Sequence, residues 1–281
     1  MIYSALMSYE YYDLDRRRKS PNLDLIFPGF RPEQETVAVI SPHDDDALLG
    51  AGYLVQAVLA AGARVRIMIV CDGSAGYSRI EHKPGIVERR KEEARAAYRS
   101  LGILPGDLAW LGLPDFSAIH YLGWRLPGGG EGLFARAVPL LREWRATRLV
   151  IPNGHREHID HTAAHLAGMF FGPQAGDAVL ADWGPAAAIT TTLIYSVWAD
   201  LPPRPGPGLR ANRAIMAPAT AERAVMEALN MFRSQAEVIA GLVKAREGRL
   251  RGARALELFR EVDPRPRLDY APYWDAVGKI G

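Results

Sequence analysis

The sequence predicts an α/β fold, in which helices cover both faces of a mostly parallel central sheet. Three observations support this prediction. Short runs of β-branched and apolar residues alternate with longer segments of helical spacing. The short runs are apolar throughout, which is typical of strands buried on both faces. The segments between them have the helical pattern of the crossovers that join parallel strands. Together these features predict a Rossmann-like three-layer sandwich.

Each predicted strand is followed by a predicted helix or turn. The first strand is the run TVAVI, and the helix after it has apolar residues at helical spacing until Gly62 stops it. The second strand ends in the turn pair Asp-Gly, and the second helix is charged and rich in alanine. The predicted strands cover residues 36–40, 64–73, 107–113, 148–154 and 188–199. The predicted helices between them cover residues 47–63, 85–103, 133–146 and 161–172.

The two ends of the chain have different predicted structures. Residues 1–33 contain three prolines and predict an irregular lead-in. Residues 201–213 are rich in Pro and Gly and predict a loop. Residues 219–262 predict a helical C-terminal part that includes the run RALELFREV. We expect this part to pack on the sheet, so that residues 1–281 form one domain.

The bulk composition is that of an ordinary globular protein. Of 281 residues, 48% are apolar and 23% are charged. The net charge of +2 is too near neutral to indicate a nucleic-acid partner. Cys71 is the single cysteine, so no intrachain disulfide can form, and the N-terminal residues lack the order of a signal peptide. With no apolar run of membrane-spanning length, the sequence predicts a cytoplasmic protein without a membrane span.

The first candidate site follows the first predicted strand, where His43, Asp44, Asp45 and Asp46 are consecutive. A turn with a helix N-cap explains one or two of the carboxylates, because negative charge is favourable at a helix start. It explains three adjacent carboxylates poorly, because like charges this close oppose joint ionisation. A bound cation would remove that repulsion, and His with Asp is a common ligand set for zinc or iron. The four residues alone are therefore compatible with both interpretations, a turn with an N-cap and a metal site.

The second candidate site follows the fourth predicted strand and contains His155, His158, Asp160, His161 and His165. A solvated loop would explain one histidine but not four within eleven residues. His161 and His165 are four residues apart and could share one helix face. Sites in parallel sheets lie at the carboxyl ends of strands, so both clusters belong to one edge. We expect a mononuclear metal site there whose three protein ligands leave a position for water, which is typical of catalytic zinc.

Several motifs resemble those of one enzyme family. PHDDDALLGAG is similar to the PHPDDEALGAG-type signature of the PIG-L/LmbE-like zinc-dependent N-deacetylases, which act mainly on N-acetylglucosamine conjugates. EHIDH resembles that family's second signature, GHPDH. Similarity continues in CDGSAGY, RRKEEARAAYRSLGI, WLGLPD, FRSQ and LELF, so that it spans roughly residues 35–260. The two signatures in this order are specific, whereas either one alone is weak.

The resemblance implies a role for each matched residue. The zinc ligands would be His43, Asp46 and His161. Asp45 would be the general base, and His158 would polarise or protonate the reacting acyl group. Asp160 would tune His158.

The resemblance also bears on the substrate. Arg90 and Asp115 match positions that contact the sugar in family members. Asp44 stands where the family has proline, and the residues alone suggest for it only turn or cap chemistry. Three residues replace the usual ones before the second signature and are assigned to a substrate pocket: His155, Arg156 and Glu157.

The sequence therefore predicts a zinc-dependent N-deacetylase, with Fe²⁺ as another suitable ion. Its predicted partner is a small N-acetylated sugar, and a homo-oligomer is compatible with the sequence. The alternatives are another metal-dependent hydrolase on the same scaffold, such as a phosphoesterase or amidase, and an inactive sugar-binding protein. A dinucleotide-binding protein is disfavoured, because no G-x-G-x-x-G turn follows the first strand.

Overall fold

The computed structural model describes residues 8–198, 201 and 209–280. The strands are β1 Glu10–Asp13, β2 Arg18–Ser20, β3 Thr36–Ser41, β4 Arg64–Cys71, β5 Leu108–Leu113, β6 Arg148–Pro152, β7 Thr191–Tyr195, β8 Arg213–Pro218, β9 Leu250–Arg251 and β10 Arg254–Val262. The α-helices are α1 Asp46–Ala60, α2 Ile86–Ser100, α3 Leu133–Glu143, α4 Ile159–Leu166, α5 Gly172–Gln174, α6 Ala219–Leu229, α7 Ala236–Ala245 and α8 Ala271–Val277. Among the described residues, no helix combines the length and apolarity needed to cross a membrane.

Five parallel strands form the centre of the sheet, in the order β7-β6-β3-β4-β5. The predicted mostly parallel sheet is thereby confirmed. From β3 the chain moves outward to β4 and β5, and then returns to pair β6 against the other side of β3. In sheets of this kind, a crevice opens at the carboxyl ends of the strands where the order reverses. The crevice of this protein therefore lies between the ends of β3 and β6.

Both faces of the sheet are covered, which confirms the three-layer prediction. All six residues of β3 are buried. Val37 and Val39 belong to one hydrophobic cluster together with residues of α1, α2 and α6. Ala38 and Ile40 belong to a second cluster together with residues of α3 and α4. Because successive strand residues point to opposite faces, the two clusters are the two sides of one sheet.

The predicted helix over residues 254–262 is wrong, because these residues form β10. β10 is an inner strand that pairs antiparallel with β7 on one side and β8 on the other. Leu256, Phe259 and Val262 recur every three residues, so the run fits a helix as well as a strand. Strand pairing decides between the two, since it buries Ala255 and Phe259 almost completely.

Glu257 is a further reason why residues 254–262 form a strand. Its carboxylate is 1% exposed and accepts hydrogen bonds from the backbone N–H groups of Tyr53 and Leu54 at 3.1 and 2.9 Å. These N–H groups follow Ala51, whose non-helical φ of −134° kinks α1. Helix kinks free backbone groups that need another partner when they are buried. Glu257 supplies that partner from its position in β10.

The predicted irregular lead-in is also partly wrong. Within it, β1 pairs antiparallel with β8, and β2 pairs with β1 at the edge of the sheet. Tyr11 of β1 is 5% exposed and packs in the core. The predicted loop at 201–213 falls largely outside the described residues, since 202–208 are not among them.

Candidate metal centre and active site

The two predicted clusters meet at the crevice between β3 and β6. His43 and Asp45 follow β3, and Asp46 is the first residue of α1. His161 lies in the first turn of α4, after β6. The ring centroids of His43 and His161 are 5.6 Å apart. Residues more than a hundred positions apart in the chain thus form one site, as expected for clusters at the carboxyl ends of parallel strands.

His43, Asp46 and His161 form a compact donor group. Each offers one ligand atom, and these atoms all lie within 4.8 Å of one another. Asp46 Oδ2 is 3.0 Å from His43 Nδ1 and 3.1 Å from His161 Nε2. Asp46 and His161 are buried. Two imidazoles and one carboxylate form a donor set that suits zinc or iron.

The surroundings of His161 test whether this group fits a metal ion. Its Nδ1 donates to Glu157 Oε2 over 2.6 Å, so the free lone pair of the neutral ring is on Nε2. Nε2 is buried and has no hydrogen-bond partner among the described residues. A metal-binding imidazole usually donates its other ring N–H to a carboxylate or carbonyl in this way. The residues present therefore fit a metal ion.

The role of Glu157 differs from the substrate pocket to which the sequence assigned it. Besides His161, its carboxylate accepts from Ser196 Oγ at 2.5 Å and from the Val197 N–H at 3.0 Å. It thereby joins the helix that carries His161 to the segment after β7. The spacing of four residues between Glu157 and His161 was the sequence signal for this contact.

Protonation of the two imidazoles is governed by nearby carboxylates. Burial acts to lower the pKa of His161, but Asp46 and Glu157 outweigh it and raise the pKa to about 9. Burial also opposes the charged form of His43, whose pKa Asp160 and Asp46 raise well above its ordinary value. A proton and a metal ion compete for the same nitrogen lone pairs. Binding of a metal ion at this site would therefore strengthen as the pH rises.

Asp45 lies beside the donor group and is 5% exposed. Burial, together with the negative charges of Asp46 and Asp44, raises the pKa of Asp45 to about 7. A carboxylate with a pKa near the working pH is suited to accept and return a proton. Its environment thus agrees with the predicted general base.

Asp160 links the rings of the site to the loop after β5. It is fully buried, and its carboxylate accepts from the Phe116 N–H at 2.6 Å and the Ala118 N–H at 3.2 Å. The same carboxylate is 3.4 Å from His43 Nε2 and 3.4 Å from His158 Nδ1. Asp160 therefore orients both imidazoles, because its carboxylate lies against His43 Nε2 and its backbone N–H donates to His158 Nδ1.

His158 caps the N-terminus of α4. Its Nδ1 accepts from the Asp160 N–H at 3.2 Å, which places the proton of the neutral ring on Nε2. Burial and then the positive charge of His43 lower the pKa of His158. His158 thus presents a neutral N–H donor beside the metal-ligand group.

Asp44, for which the sequence suggested only turn or cap chemistry, is the counterion of Arg90. The Arg90 Nε donates to Asp44 Oδ2 at 3.0 Å, and a second guanidinium nitrogen contacts Asp44 Oδ1. Both residues are buried, at 4% and 3% exposure. The Arg90 guanidinium also lies against Gly76, where an added Cβ would be 1.8 Å from it. Contact of Arg90 with a sugar stays a prediction.

Replacing Asp44 with asparagine is expected to lower the free energy of unfolding by about 3–5 kcal/mol, because the buried charge of Arg90 loses its partner. Urea denaturation of the purified protein measures this change. Glu88→Gln is the control, since it removes a surface partner of Lys91 and should change stability little. Equal stability of Asp44→Asn and the wild type would contradict the assigned role.

The remaining predicted residues occupy different positions around the site. Asp115 accepts from the Gly73 and Ala75 N–H groups, both at 2.9 Å, and so orders the loop after β4. His155 and Arg156 are exposed on the loop after β6. His165 contacts the Pro152 carbonyl oxygen at 2.9 Å and is not in the donor group.

Cys71 belongs to a second set of close donors. The set consists of His43, Cys71, Asp115 and Asp160, whose ligand atoms also lie within 4.8 Å of one another. Burial, and next the charge of Asp160, raise the pKa of the Cys71 thiol. Because metal binding needs the thiolate, this environment disfavours Cys71 as a ligand. The group of His43, Asp46 and His161 is therefore the better candidate.

Comparisons with known proteins agree with this fold. Residues 38–171 match the model of the PIG-L family, described as GlcNAc-PI de-N-acetylase. None of the curated proteins matches the chain. The N,N'-diacetylchitobiose deacetylase of Pyrococcus horikoshii is 18% identical, with a TM-score of 0.62 over 86% of this chain and 90% of that one.

Two further solved structures are similar. A deacetylase of the teicoplanin pathway is 18% identical, with a TM-score of 0.57 over 81% of this chain and 98% of its own. The 4-carboxy-2-hydroxymuconate hydratase of Pseudomonas putida is 15% identical, with a TM-score of 0.54 over 84% of this chain and 100% of its own. At these identities the likeness shows a shared fold, and that fold occurs in enzymes of different reactions.

Proposed function

We propose that the protein is a metal-dependent N-deacetylase, because residues 38–171 match the PIG-L family model. It would hydrolyse the N-acetyl group of an N-acetylglucosamine-type sugar conjugate to acetate and a free amine. The observation that carries this proposal is the position of Asp45, a buried carboxylate with a raised pKa, directly beside the donor group of His43, Asp46 and His161.

The metal ion would be held by His43, Asp46 and His161, with Zn²⁺ or Fe²⁺ as suitable ions. When bound, it supplies Lewis-acid chemistry, which polarises the acyl carbonyl and acidifies a water molecule. Glu157 and Asp160 keep the imidazoles in place, through His161 Nδ1 and His43 Nε2. Fixed ligands save the reorganisation that a mobile site would need at each turnover.

Proton transfer is assigned to Asp45 and His158. Asp45 accepts a proton from the attacking water and later delivers it to the leaving nitrogen, as its raised pKa permits. His158 donates from Nε2 to the acyl oxygen as negative charge develops there. Asp160 supports His158, because its backbone N–H donates to the ring at Nδ1 and its carboxylate orders the adjacent loop.

Sugar contacts are assigned to residues around the donor group. Asp115 is partly exposed near the start of the loop that follows β5, and His155 and Arg156 are exposed after β6. Their polar groups suit the hydroxyls of a sugar. Arg90 would act chiefly through Asp44, whose carboxylate its guanidinium already binds.

The test is to measure both products as a function of metal content. Metal-depleted protein is reloaded with Zn²⁺, Fe²⁺, Co²⁺ or Mn²⁺ and incubated with N-acetylglucosamine conjugates, including N,N'-diacetylchitobiose. Acetate and primary amine are expected in equal amounts, and only in the metal-loaded samples. Phosphate release from phosphoesters without acetate would replace the proposal with a phosphoesterase. Sugar binding without any product would indicate an inactive binding protein.

A further inference from the structure

Two exposed aromatic side chains lie at the crevice. Phe116 is 61% exposed and Trp198 is 54% exposed. Phe116 follows β5 and Trp198 follows β7, the two outer strands of the parallel part of the sheet. The strands that carry the metal-ligand group, β3 and β6, lie between them. The two aromatic residues therefore approach the site from opposite ends of the sheet edge.

Both rings contact the same catalytic candidate. The Phe116 ring centroid is 4.3 Å from that of His158, in an edge-on arrangement. The Trp198 ring centroid is 6.2 Å from that of His158 and 5.8 Å from that of His161. A molecule that reaches His158 from solvent thus meets exposed aromatic surface.

The backbone holds Phe116 in this place against its conformational preference. Its φ of 63° lies in the left-handed region, which is unfavourable for a bulky side chain. Its N–H donates to Asp160 Oδ2, and the backbone N–H of the same Asp160 donates to His158 Nδ1. Strained backbone held by surrounding contacts is characteristic of functional sites.

Trp198 is anchored in the corresponding way. Its N–H donates to Glu157 Oε1 at 3.2 Å, and the Val197 N–H donates to the same oxygen. Glu157 is the carboxylate that holds His161. Each aromatic residue is therefore tied to a carboxylate that positions an imidazole of the site. Both ties run through backbone N–H groups, so they remain when either ring is replaced.

We propose that Phe116 and Trp198 form a stacking subsite for the apolar C–H face of the substrate's sugar ring. The inference rests on the proposed function and specifies how its substrate is held. Aromatic side chains bury large apolar areas and bind ligands in defined orientations. The exposed residues near His158 in the chain are mixed, since Ile159 is apolar and 43% exposed whereas His155 and Arg156 are polar. A pyranose, with an apolar face and a polar rim, fits this mixture.

The experiment compares variants that remove or keep each ring. Phe116→Asn removes the ring with a residue that tolerates the left-handed conformation, and Phe116→Tyr keeps a ring. Trp198→Leu and Trp198→Phe form the second pair. Trp274→Leu is the control, because Trp274 is 73% exposed on α8. The probes are the methyl and octyl glycosides of N-acetylglucosamine.

Phe116→Asn and Trp198→Leu are each expected to raise KM for the methyl glycoside by about 5- to 10-fold with kcat little changed. The variants that keep a ring should recover the wild-type KM, and Trp274→Leu should match the wild type. Wild-type KM in both ring-removing variants would overturn the subsite. So would a raised KM in Trp274→Leu of the same size.

Saturation-transfer NMR keeps this test separate from the deacetylase test. In protein without turnover, sugar-ring protons of the methyl glycoside should be saturated in the wild type and lose saturation in Phe116→Asn and Trp198→Leu. Such binding would support the subsite even if no acetate were ever released. Saturation confined to the alkyl chain of the octyl glycoside, or absent for both probes, would overturn it.

Discussion

Replacing Asp45 with asparagine should lower kcat by about 10²–10⁴-fold, which is the usual contribution of a general base. Asparagine has nearly the same shape but cannot accept the proton of the attacking water. Metal content should stay at the wild-type value, because Asp45 is not in the donor group of His43, Asp46 and His161. Acetate release under saturating substrate measures kcat, and elemental analysis measures the metal.

The pH profile gives an independent reading of the same residue. Asp45 must be ionised to act as a base, so kcat/KM should fall as the pH drops below its pKa. That pKa is raised to about 7, and a bound cation would lower it. The acid limb of the wild type is therefore expected at or below about pH 7.

Asp275→Asn, which changes an exposed carboxylate of α8, controls for loss of negative charge. If Asp45→Asn retained near wild-type turnover with full metal content, another group would have to be the base.

Replacing His161 with alanine should abolish activity through loss of the metal ion. Alanine removes the buried Nε2 that faces Asp46 at 3.1 Å. Loss of a residue that only hydrogen-bonds a metal ligand costs about 10–100-fold in metal affinity, so loss of a ligand should cost more. Competition with a chromophoric chelator measures the affinity.

Two further variants serve as a control and as an intermediate case for metal affinity. His165→Ala removes a histidine one helical turn further along, which binds a backbone carbonyl oxygen, and it should keep the metal. Glu157→Gln weakens the contact to His161 Nδ1, so its metal affinity should lie between those of the wild type and His161→Ala. If His161→Ala retained a stoichiometric metal ion and His165→Ala lost it, His165 would be the ligand and His161 would not.

The sequence predicted the five parallel strands and their helices because those signals are local. A buried parallel strand is apolar along its length, and a crossover helix has its own period, so neither needs a distant partner to be identified. Both polar clusters directly follow predicted strands of this parallel sheet, so their position at one sheet edge was predictable as well. β10 was missed because its residues fit two periods, and only pairing with β7 and β8 distinguishes them.

Within the site, the residue types and their order along the chain were determined by the sequence alone. His43, Asp45, Asp46 and His161 were identified from two short motifs at the ends of two predicted strands. The tertiary structure decided which groups neutralise and orient them. Asp44 pairs with Arg90, and Glu157 joins His161 to the segment after β7. The contacts of Asp44 with Arg90 and of Glu157 with Val197 span tens of residues, and burial determines their strength, so no local pattern contains them.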